Sequence, residues 1–156
     1  MILSDELDNL ETVFLDTAPI IYYIEAHPQF GPLVKEIVNC FQSGKLTAYS
    51  SVVTIVEVLP KPVETGNEKL VRQFSEFLRS GKNISLMDIS PDIAELAGEL
   101  RGQYPSVRSL DAIQIAASIK VKADAFITND VKLKQVKELK YIVLKDGKSE
   151  LRDASK

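Results

Sequence analysis

Residues 12–17 of the 156-residue chain read Thr-Val-Phe-Leu-Asp-Thr, an apolar strand segment that ends in an acid. Thr17 can cap a helix, and Pro19 suits the first turn of that helix. A short apolar run followed directly by helix-start residues is typical of a strand in a parallel sheet. The segment therefore predicts a strand and then a helix, with Asp16 at the carboxyl end of the strand.

The same alternation of strands and helices continues along the chain. Further strands are predicted at 46–49, 84–87, 125–128 and 141–144. Helices are predicted from residue 17, over 32–42, from 50 or 51 to before Pro60, and over 64–79, 91–100, 110–120 (capped by Ser109) and 131–139. Strands joined by helical crossovers form a parallel sheet that is covered on both faces, and ligands bind at the carboxyl ends of its strands. We therefore predict an α/β fold with its site at that edge.

Length and composition place the chain among single-domain globular proteins. Its 45% hydrophobic and 26% charged residues are average for folded domains, which excludes disordered and low-complexity classes. The longest uncharged stretch, 46–56, is too short to span a bilayer, and the acidic start contradicts a signal peptide. We expect one cytoplasmic domain over 1–156, with a core over about 12–145 and terminal extensions at 1–11 and 146–156.

The scarcity of cysteine and histidine limits the available chemistry. Cys40 and His27 are the only residues of their types, which excludes an internal disulfide and a structural zinc site with four nitrogen or sulfur ligands. A pair of catalytic histidines is excluded for the same reason. Catalysis by this chain is therefore expected to depend mainly on carboxylates.

Four acids occupy positions that the predicted topology brings to one edge of the sheet. Asp16 and Asp130 follow apolar strands, whereas Asp111 begins a largely apolar helix and Glu57 lies within another. Each also has an ordinary structural interpretation. Asp16 suits a turn, Asp111 a helix start and Asp130 a helix cap, and Glu57 has the spacing of a capping-box partner of Thr54. The acids are informative only as a set.

Electrostatics connects this set of acids to a metal ion. Two carboxylates about 4 Å apart repel by about 4 kcal/mol at an effective dielectric constant of about 20, so converging acids require a proton or a cation. Ligand sets made only of oxygen favour Mg²⁺ or Mn²⁺. The chemistry that this predicts is metal-assisted hydrolysis of a phosphodiester bond.

Four motifs, in this order, resemble the PIN domain family, especially the VapC-type ribonuclease toxins of prokaryotes. They are Leu15-Asp16-Thr17, Thr54-Ile-Val-Glu57, Leu110-Asp111-Ala-Ile-Gln-Ile-Ala-Ala117 and Ile127-Thr128-Asn129-Asp130. The resemblance spans about residues 12–145 and implies a Rossmann-like sheet of five parallel strands flanked by helices on both faces. It also implies an endoribonuclease whose acidic pocket binds Mg²⁺ or Mn²⁺.

The resemblance further implies a role for each matching position. The catalytic and metal-binding core would consist of Asp16, Glu57, Asp111 and Asp130. The substrate-binding residues would be Thr17, Thr128 and Arg108. VapC-type proteins usually form homodimers and bind a small antitoxin, so the resemblance implies RNA, a second copy and an antitoxin as partners. The apolar faces of the first helix after Asp16 and of 64–79 are the candidate antitoxin contacts.

Charge is distributed unevenly along the chain. Residues 1–119 carry a net charge of −7, and residues 120–156 carry a net charge of +4. The cations Lys132, Lys134 and Lys137 suit contacts to a polyanion such as RNA, but they equally suit the solvated face of a helix. The sequence leaves both interpretations open.

Two other function classes are compatible with the pattern. A receiver domain of a signalling system is also a parallel α/β domain with an acidic pocket and a lysine after its last strand, as at Lys145. Receivers have paired acids after the first strand, whereas Asp16 stands alone here. The other alternative is a PIN-like scaffold that binds RNA or protein without cutting.

Overall fold

The computed structural model describes residues 2–146, with side chains from Asp5 onward. Its strands are β1 Thr12–Leu15, β2 Thr47–Ser51, β3 Ile84–Met87, β4 Ala125–Thr128 and β5 Tyr141–Val143. Its α-helices are α1 Ile2–Asp8, α2 Thr17–Ile24, α3 Gly31–Gln42, α4 Val52–Val58, α5 Pro60–Glu64, α6 Glu68–Ser80, α7 Pro91–Gln103 and α8 Ser109–Lys120, and a 3₁₀ helix spans Val131–Gln135. No helix within residues 2–146 is both long enough and apolar enough to cross a membrane.

All five strands run parallel, in the spatial order β3-β2-β1-β4-β5. The chain proceeds from β1 to β2 and β3 on one side, then returns to place β4 and β5 on the other side. The direction of winding therefore reverses between β1 and β4, where Phe14 lies beside Phe126. Such a reversal opens a crevice at the carboxyl ends of the strands, which is where ligands bind in this class of fold. The predicted α/β fold with five parallel strands is confirmed.

Each face of the sheet has its own apolar core. Successive side chains of a strand point to opposite faces, so Val13 and Leu15 join one core and Phe14 joins the other. Residues of α2, α3 and α6 cover the first core, including the fully buried Phe74. Residues of α7 and α8 cover the second core, in which the rings of Phe14 and Phe126 stack 5.6 Å apart. The sheet is thus covered on both faces, as predicted.

The helix predicted over 64–79 begins at Glu68 in the structure, and a short helix that was not predicted, α5, precedes it. α5 ends at Glu64, and α6 begins at Glu68 after a turn in which Gly66 has a φ of 71°. This left-handed conformation suits glycine and interrupts a helix. The side chain of Asn67 then accepts a hydrogen bond from the backbone N–H of Leu70 at 3.1 Å and caps α6. The predicted start at residue 64 is therefore four residues too early, because Gly66 ends the preceding helix and Asn67 caps α6.

Two other helix boundaries differ from the prediction. Ser109, which was expected to cap α8, is its first helical residue, because the extended backbone of Arg108 occupies the N-cap position. The helix expected over 131–139 is only the 3₁₀ helix Val131–Gln135, because Val136 has an extended backbone that ends it. Both differences amount to short shifts at an end and leave the sheet unchanged.

Residues before β1 contribute to the core, although 1–11 were expected to be a terminal extension. The side chains of Leu7 and Leu10 are buried in the core that α3 covers. Leu7 lies in α1 and Leu10 follows it, and the backbone N–H of Leu10 donates to the oxygen of Leu7 at 3.1 Å. On the C-terminal side, residues 147–156 of the expected extension lie outside the described residues.

Two glycine substitutions test this backbone description. An added Cβ at Gly98 in α7 meets open space, so Gly98→Ala is expected to stabilise the protein by about 0.5–1 kcal/mol. Gly66→Ala is expected to destabilise it by about 1 kcal/mol or more because of its positive φ. Urea unfolding of both variants beside the wild type measures these changes. Midpoints that shift in the same direction would contradict the description of α7 or of the α5–α6 turn.

Candidate active site

Asp16 is the most buried of the four acids. It follows β1 where the direction of winding reverses, forms the N-cap of α2 and is only 7% exposed. Its Oδ1 accepts a hydrogen bond from the backbone N–H of Thr17 at 2.9 Å. Its Oδ2 accepts one from the hydroxyl of Thr128, at the end of β4, at 2.7 Å. These two bonds hold the carboxylate between the two central strands.

The surroundings of Asp16 disfavour its negative charge. Burial raises the pKa of Asp16 from 3.8 to about 6, with smaller upward contributions from the charges of Asp111 and Glu57. The hydrogen bonds from Thr128 and Thr17 act in the opposite direction and lower this pKa. An ionised Asp16 is therefore a charge that a nearby cation would stabilise.

Glu57 approaches Asp16 from α4, which follows β2 directly. The Ser51 hydroxyl caps α4 by accepting a hydrogen bond from the backbone N–H of Val53 at 3.2 Å. At the other end of α4, Oε1 of Glu57 accepts a hydrogen bond from the Thr17 hydroxyl at 2.6 Å. Thr17 thus binds Asp16 through its backbone and Glu57 through its side chain. Glu57 forms no capping box, since Thr54 lies inside the helix.

Asp111 lies in the first turn of α8 and is paired with Arg108. The Arg108 Nε donates to Oδ2 of Asp111 at 3.2 Å, and the two side chains are 79% and 13% exposed, respectively. The charge of Asp111 raises the pKa of Arg108, and those of Asp130 and Glu57 add to this effect. One exposed guanidinium thus lies within the influence of three of the acids.

Asp130 combines the expected cap with a place in the site. Its Oδ1 accepts a hydrogen bond from the backbone N–H of Lys132 at 3.0 Å and so caps the 3₁₀ helix. Its own backbone N–H donates to the hydroxyl of Thr128 at 3.1 Å. The Thr128 hydroxyl therefore connects the backbone of Asp130 to the carboxylate of Asp16.

All seven predicted site residues line one pocket of about 270 Å³: Asp16, Thr17, Glu57, Arg108, Asp111, Thr128 and Asp130. The junction of β1 and α2, the end of α4, the start of α8 and the segment after β4 supply them. The pocket thus lies at the carboxyl edge of the sheet, as the topology predicted. Its lining also includes Tyr22 and Asn129, which were not predicted as site residues.

A buried network of hydroxyl and amide groups beneath the pocket was also not predicted. The Gln114 Nε2 donates to the Thr54 hydroxyl at 2.8 Å, and its Oε1 accepts from the Ser51 hydroxyl at 2.5 Å. A longer bond of 3.4 Å reaches the Thr17 hydroxyl, which holds Glu57. The network continues to Ser50, which lies 2.8 Å from the Thr54 hydroxyl. The available signal was a single glutamine on a helix that is otherwise apolar around Asp111.

Asn129 connects the pocket to two other elements. Its amide donates to the hydroxyl of Tyr22 in α2 at 3.2 Å, and its side-chain oxygen accepts from the backbone N–H of Lys145 at 2.9 Å. The ring of Tyr22 in turn packs against His27 and Phe30, with centroids 4.8 and 5.1 Å away. Asn129 therefore links the end of β4 to α2 and to the residues after β5.

The donor chemistry of the pocket fits a hard divalent cation. Its four acids offer only oxygen ligands, which suit Mg²⁺ or Mn²⁺, and a cation would offset the burial and repulsion that raise the pKa of Asp16. As placed, no three acidic, histidine or cysteine side chains within the described part of the chain are close enough together to hold an ion. The fit therefore rests on the type of donor and on charge.

A comparison with protein-family models matches residues 13–139 to the PIN domain. Because this match covers most of the chain, the protein belongs to the PIN domain family. The resemblance of the four motifs to that family is confirmed, and the receiver-domain alternative no longer applies. A comparison of the sequence with curated proteins found no match.

Solved structures of toxin–antitoxin proteins have a similar fold. VapBC2 from Rickettsia felis, bound to a fragment of promoter DNA, contains a chain with a TM-score of 0.69 and 19% identity, covering 85% of this chain and 98% of that one. A toxin–antitoxin complex from Klebsiella pneumoniae contains a chain with a TM-score of 0.62 and 20% identity, and the match covers 85% of this chain and 97% of that one. VapC20 from Mycobacterium tuberculosis is a toxin that cleaves the sarcin–ricin loop. It has a TM-score of 0.59 and 16% identity, and the match covers 73% of this chain and 86% of that one. At these identities the likeness shows the fold alone.

The raised pKa of Asp16 predicts a stability change that depends on pH. Because folding raises this pKa above its unfolded value of 3.8, ionised Asp16 destabilises the fold; the penalty is absent below about pH 3.8 and complete above about pH 6. Asp16→Asn removes the charge, so its stability relative to the wild type is expected to rise across that window by up to roughly 3 kcal/mol. Urea unfolding in EDTA at several pH values measures this difference.

Asp124→Asn provides a control of opposite sign. Hydrogen bonds from the backbone N–H groups of Glu11 and Thr12 lower the pKa of Asp124, so its charge stabilises the fold. This variant is expected to be less stable than the wild type at neutral pH, with a deficit that is lost as pH falls through the pKa of Asp124. A flat difference between Asp16→Asn and the wild type across the same range would contradict the burial of an ionisable Asp16.

The buried network predicts different effects of two substitutions in α8. Gln114→Leu removes one hydrogen-bond partner from each of the buried Ser51 and Thr54 hydroxyls and is expected to cost about 1–3 kcal/mol. Ser118 is equally buried, but its hydroxyl has no hydrogen-bond partner among the described residues, so Ser118→Ala is expected to be neutral or slightly stabilising. Thermal and urea unfolding measure both. Equal losses in the two variants would mean that the hydrogen bonds of Gln114 do not stabilise the fold.

Proposed function

We propose that this protein is a metal-dependent endoribonuclease that hydrolyses RNA phosphodiester bonds at the pocket of Asp16, Glu57, Asp111 and Asp130. The observation that carries the proposal is the meeting of these four acids with Arg108 in one pocket, at the edge where a PIN-domain sheet reverses its winding. We propose Mg²⁺ or Mn²⁺ as the cofactor. Such an ion neutralises charge on the scissile phosphate and acidifies the attacking water.

The acids of the pocket would bind the cation, and neighbouring hydroxyl and backbone groups would orient two of them. The four carboxylates would hold the cation, while Thr128 and the backbone of Thr17 keep Asp16 in place. The Thr17 hydroxyl would do the same for Glu57. These donors already orient the carboxylates of Asp16 and Glu57 before a cation binds.

Arg108 would bind the phosphate of the substrate. Its Nε bonds to Asp111, which leaves both terminal nitrogens of the guanidinium without a partner among the described residues. A planar guanidinium with two unused N–H₂ groups is well suited to phosphate oxygens. Its high exposure keeps it accessible to a large substrate such as RNA.

We further propose that the protein is the toxin of a type II toxin–antitoxin pair, acting in the cytoplasm as a homodimer. The similar folds of the VapBC proteins support this proposal. A cavity of about 660 Å³ between α2, α3 and α6 offers a place for a small antitoxin, and its lining includes Tyr23, Ile24, Pro32 and Gln73. Both regions expected to contact an antitoxin thus contribute to it. Co-expression with the product of an adjacent reading frame, followed by co-purification, tests this part.

A binding scaffold that does not cut is the second candidate. The observation in its favour is that the acidic side chains within residues 2–146, as placed, form no group of three close enough to hold an ion. Such a scaffold would bind RNA or protein at the same pocket without turnover. Cleavage assays distinguish the two candidates directly.

The test of the nuclease is cleavage of end-labelled structured and single-stranded RNAs with Mn²⁺, with Mg²⁺ and with EDTA. Asp111→Asn is expected to reduce metal-dependent cleavage by roughly 100-fold or more. Even substitution of a hydrogen-bond partner of a metal ligand lowers metal affinity or activity by about 10- to 100-fold. Asp92→Asn is the matched control, because Asp92 occupies the first turn of α7 as Asp111 does in α8 but lies outside the pocket. This control is expected to cleave normally.

Two results would overturn the proposal. Cleavage by Asp111→Asn at the wild-type rate would mean that the site is assigned wrongly. RNA that is bound by the wild type but not cut with either metal would favour the scaffold.

A further inference from the structure

A second groove adjoins the acidic pocket and extends it in one direction. Its volume is about 760 Å³, and Arg108, Asp111 and Asp130 line both the groove and the pocket. The rest of its lining comes from the segment before α8 and from the 3₁₀ helix after Asp130. A chain that places one phosphate at the four acids can therefore continue along this groove without leaving the surface.

The groove is lined by both cations and apolar groups. Lys132 and Arg108 line it, as do the buried side chains of Val107 and Leu133. Lys132 forms no ion pair within the described residues, whereas Lys134 is 3.7 Å from Asp146 and does not line the groove. Lys137 does not line it either. Among the three lysines that the sequence singled out, the structure therefore distinguishes Lys132.

Gln135 gives the groove a fixed polar group. Its Oε1 accepts a hydrogen bond from the Ser106 hydroxyl at 3.1 Å, and its Nε2 donates to the backbone oxygen of Lys132 at 3.0 Å. A glutamine amide has two N–H donors and two acceptor lone pairs. One N–H and one lone pair of Gln135 thus have no partner among the described residues, in a side chain that is already held in place. This pair of groups can bind the edge of a nucleobase.

We propose that this groove binds single-stranded RNA next to the cleaved bond, with a phosphate at Lys132 and a base read by Gln135. The inference rests on the proposed nuclease function of the adjoining pocket. A single strand is required because the base edges of a duplex are paired and its deep major groove is inaccessible to side chains. A basic protein segment fits less well, because Lys132 and Arg108 would repel it.

The first experiment measures binding separately from cleavage. Fluorescence anisotropy follows a labelled single-stranded RNA of mixed sequence and about 12 nucleotides, within the usual site sizes of single-strand binders, in EDTA and at several salt concentrations. Lys132→Ala is expected to weaken binding about fivefold at about 0.1 M salt and to reduce the salt slope by about 0.7, the value for one phosphate contact on a single strand. Lys132→Arg is expected to restore both.

Lys82→Ala is the matched control for this measurement. Lys82 is an exposed lysine that precedes β3 and therefore lies at the opposite edge of the sheet. This variant is expected to bind as the wild type does. Equal affinity and salt slope in Lys132→Ala and the wild type, or no RNA binding by the wild type, would overturn the proposal, and so would an equal loss in Lys82→Ala.

The second experiment tests the base-reading role of Gln135. Sequencing of RNAs selected by the protein from a random single-stranded pool is expected to show a preferred base that Gln135→Ala weakens roughly tenfold, the effect of losing a bidentate base contact. Gln135→Glu replaces the N–H₂ group by an acceptor and is expected to change the preferred base. Unchanged preferences in both variants would overturn this role.

These outcomes separate the inference from the proposed function. RNA binding that depends on Lys132, without cleavage in the presence of either metal, would support the RNA-binding groove and contradict the nuclease function. Cleavage that Asp111→Asn abolishes, combined with RNA binding that Lys132→Ala does not change, would support the nuclease function and contradict the RNA-binding groove.

Discussion

The site depends on a carboxylate that is buried where two neighbouring strands of the sheet end. Asp16 is held between β1 and β4 by the backbone of Thr17 and the hydroxyl of Thr128, yet its burial and its acidic neighbours disfavour its charge. A buried carboxylate with a raised pKa is a common feature of functional sites. The surrounding structure supplies the constraint: β1 lies at the centre of the sheet, and α2 begins directly after it.

The other acids are held by donors of different kinds, and this allows several negative charges to share one small pocket. Glu57 accepts from a hydroxyl, Asp111 from a guanidinium and Asp130 from a backbone amide. Arg108 provides a full opposing charge, but it is largely exposed and therefore well screened by water. The buried network around Gln114 supports this arrangement from below, because it reaches the hydroxyl that holds Glu57.

The sequence was most informative where a single local pattern determines the structure. The apolar runs ending at Leu15 and Thr128 marked the two central strands, and acids after such runs had to lie at one edge of a parallel sheet. The turn at Gly66 was missed because the helix was predicted from the apolar spacing of residues 70–78, which does not determine where the helix begins. Gln114 was missed for a different reason: one polar residue in an apolar helix shows no period, and its partners come from distant elements.

The pairing of β1 with β4 also has a consequence for the timing of synthesis. The bond between Thr128 and Asp16 joins residues 112 positions apart, so one half of the site is translated long before the other. At translation rates of about 5–20 residues per second, Asp16 remains without that partner for on the order of ten seconds. The central strand pair, and with it the pocket, forms only after β4 has left the ribosome. A nascent chain therefore carries Asp16 without the Thr128 hydroxyl until the 112 residues between them have been synthesised.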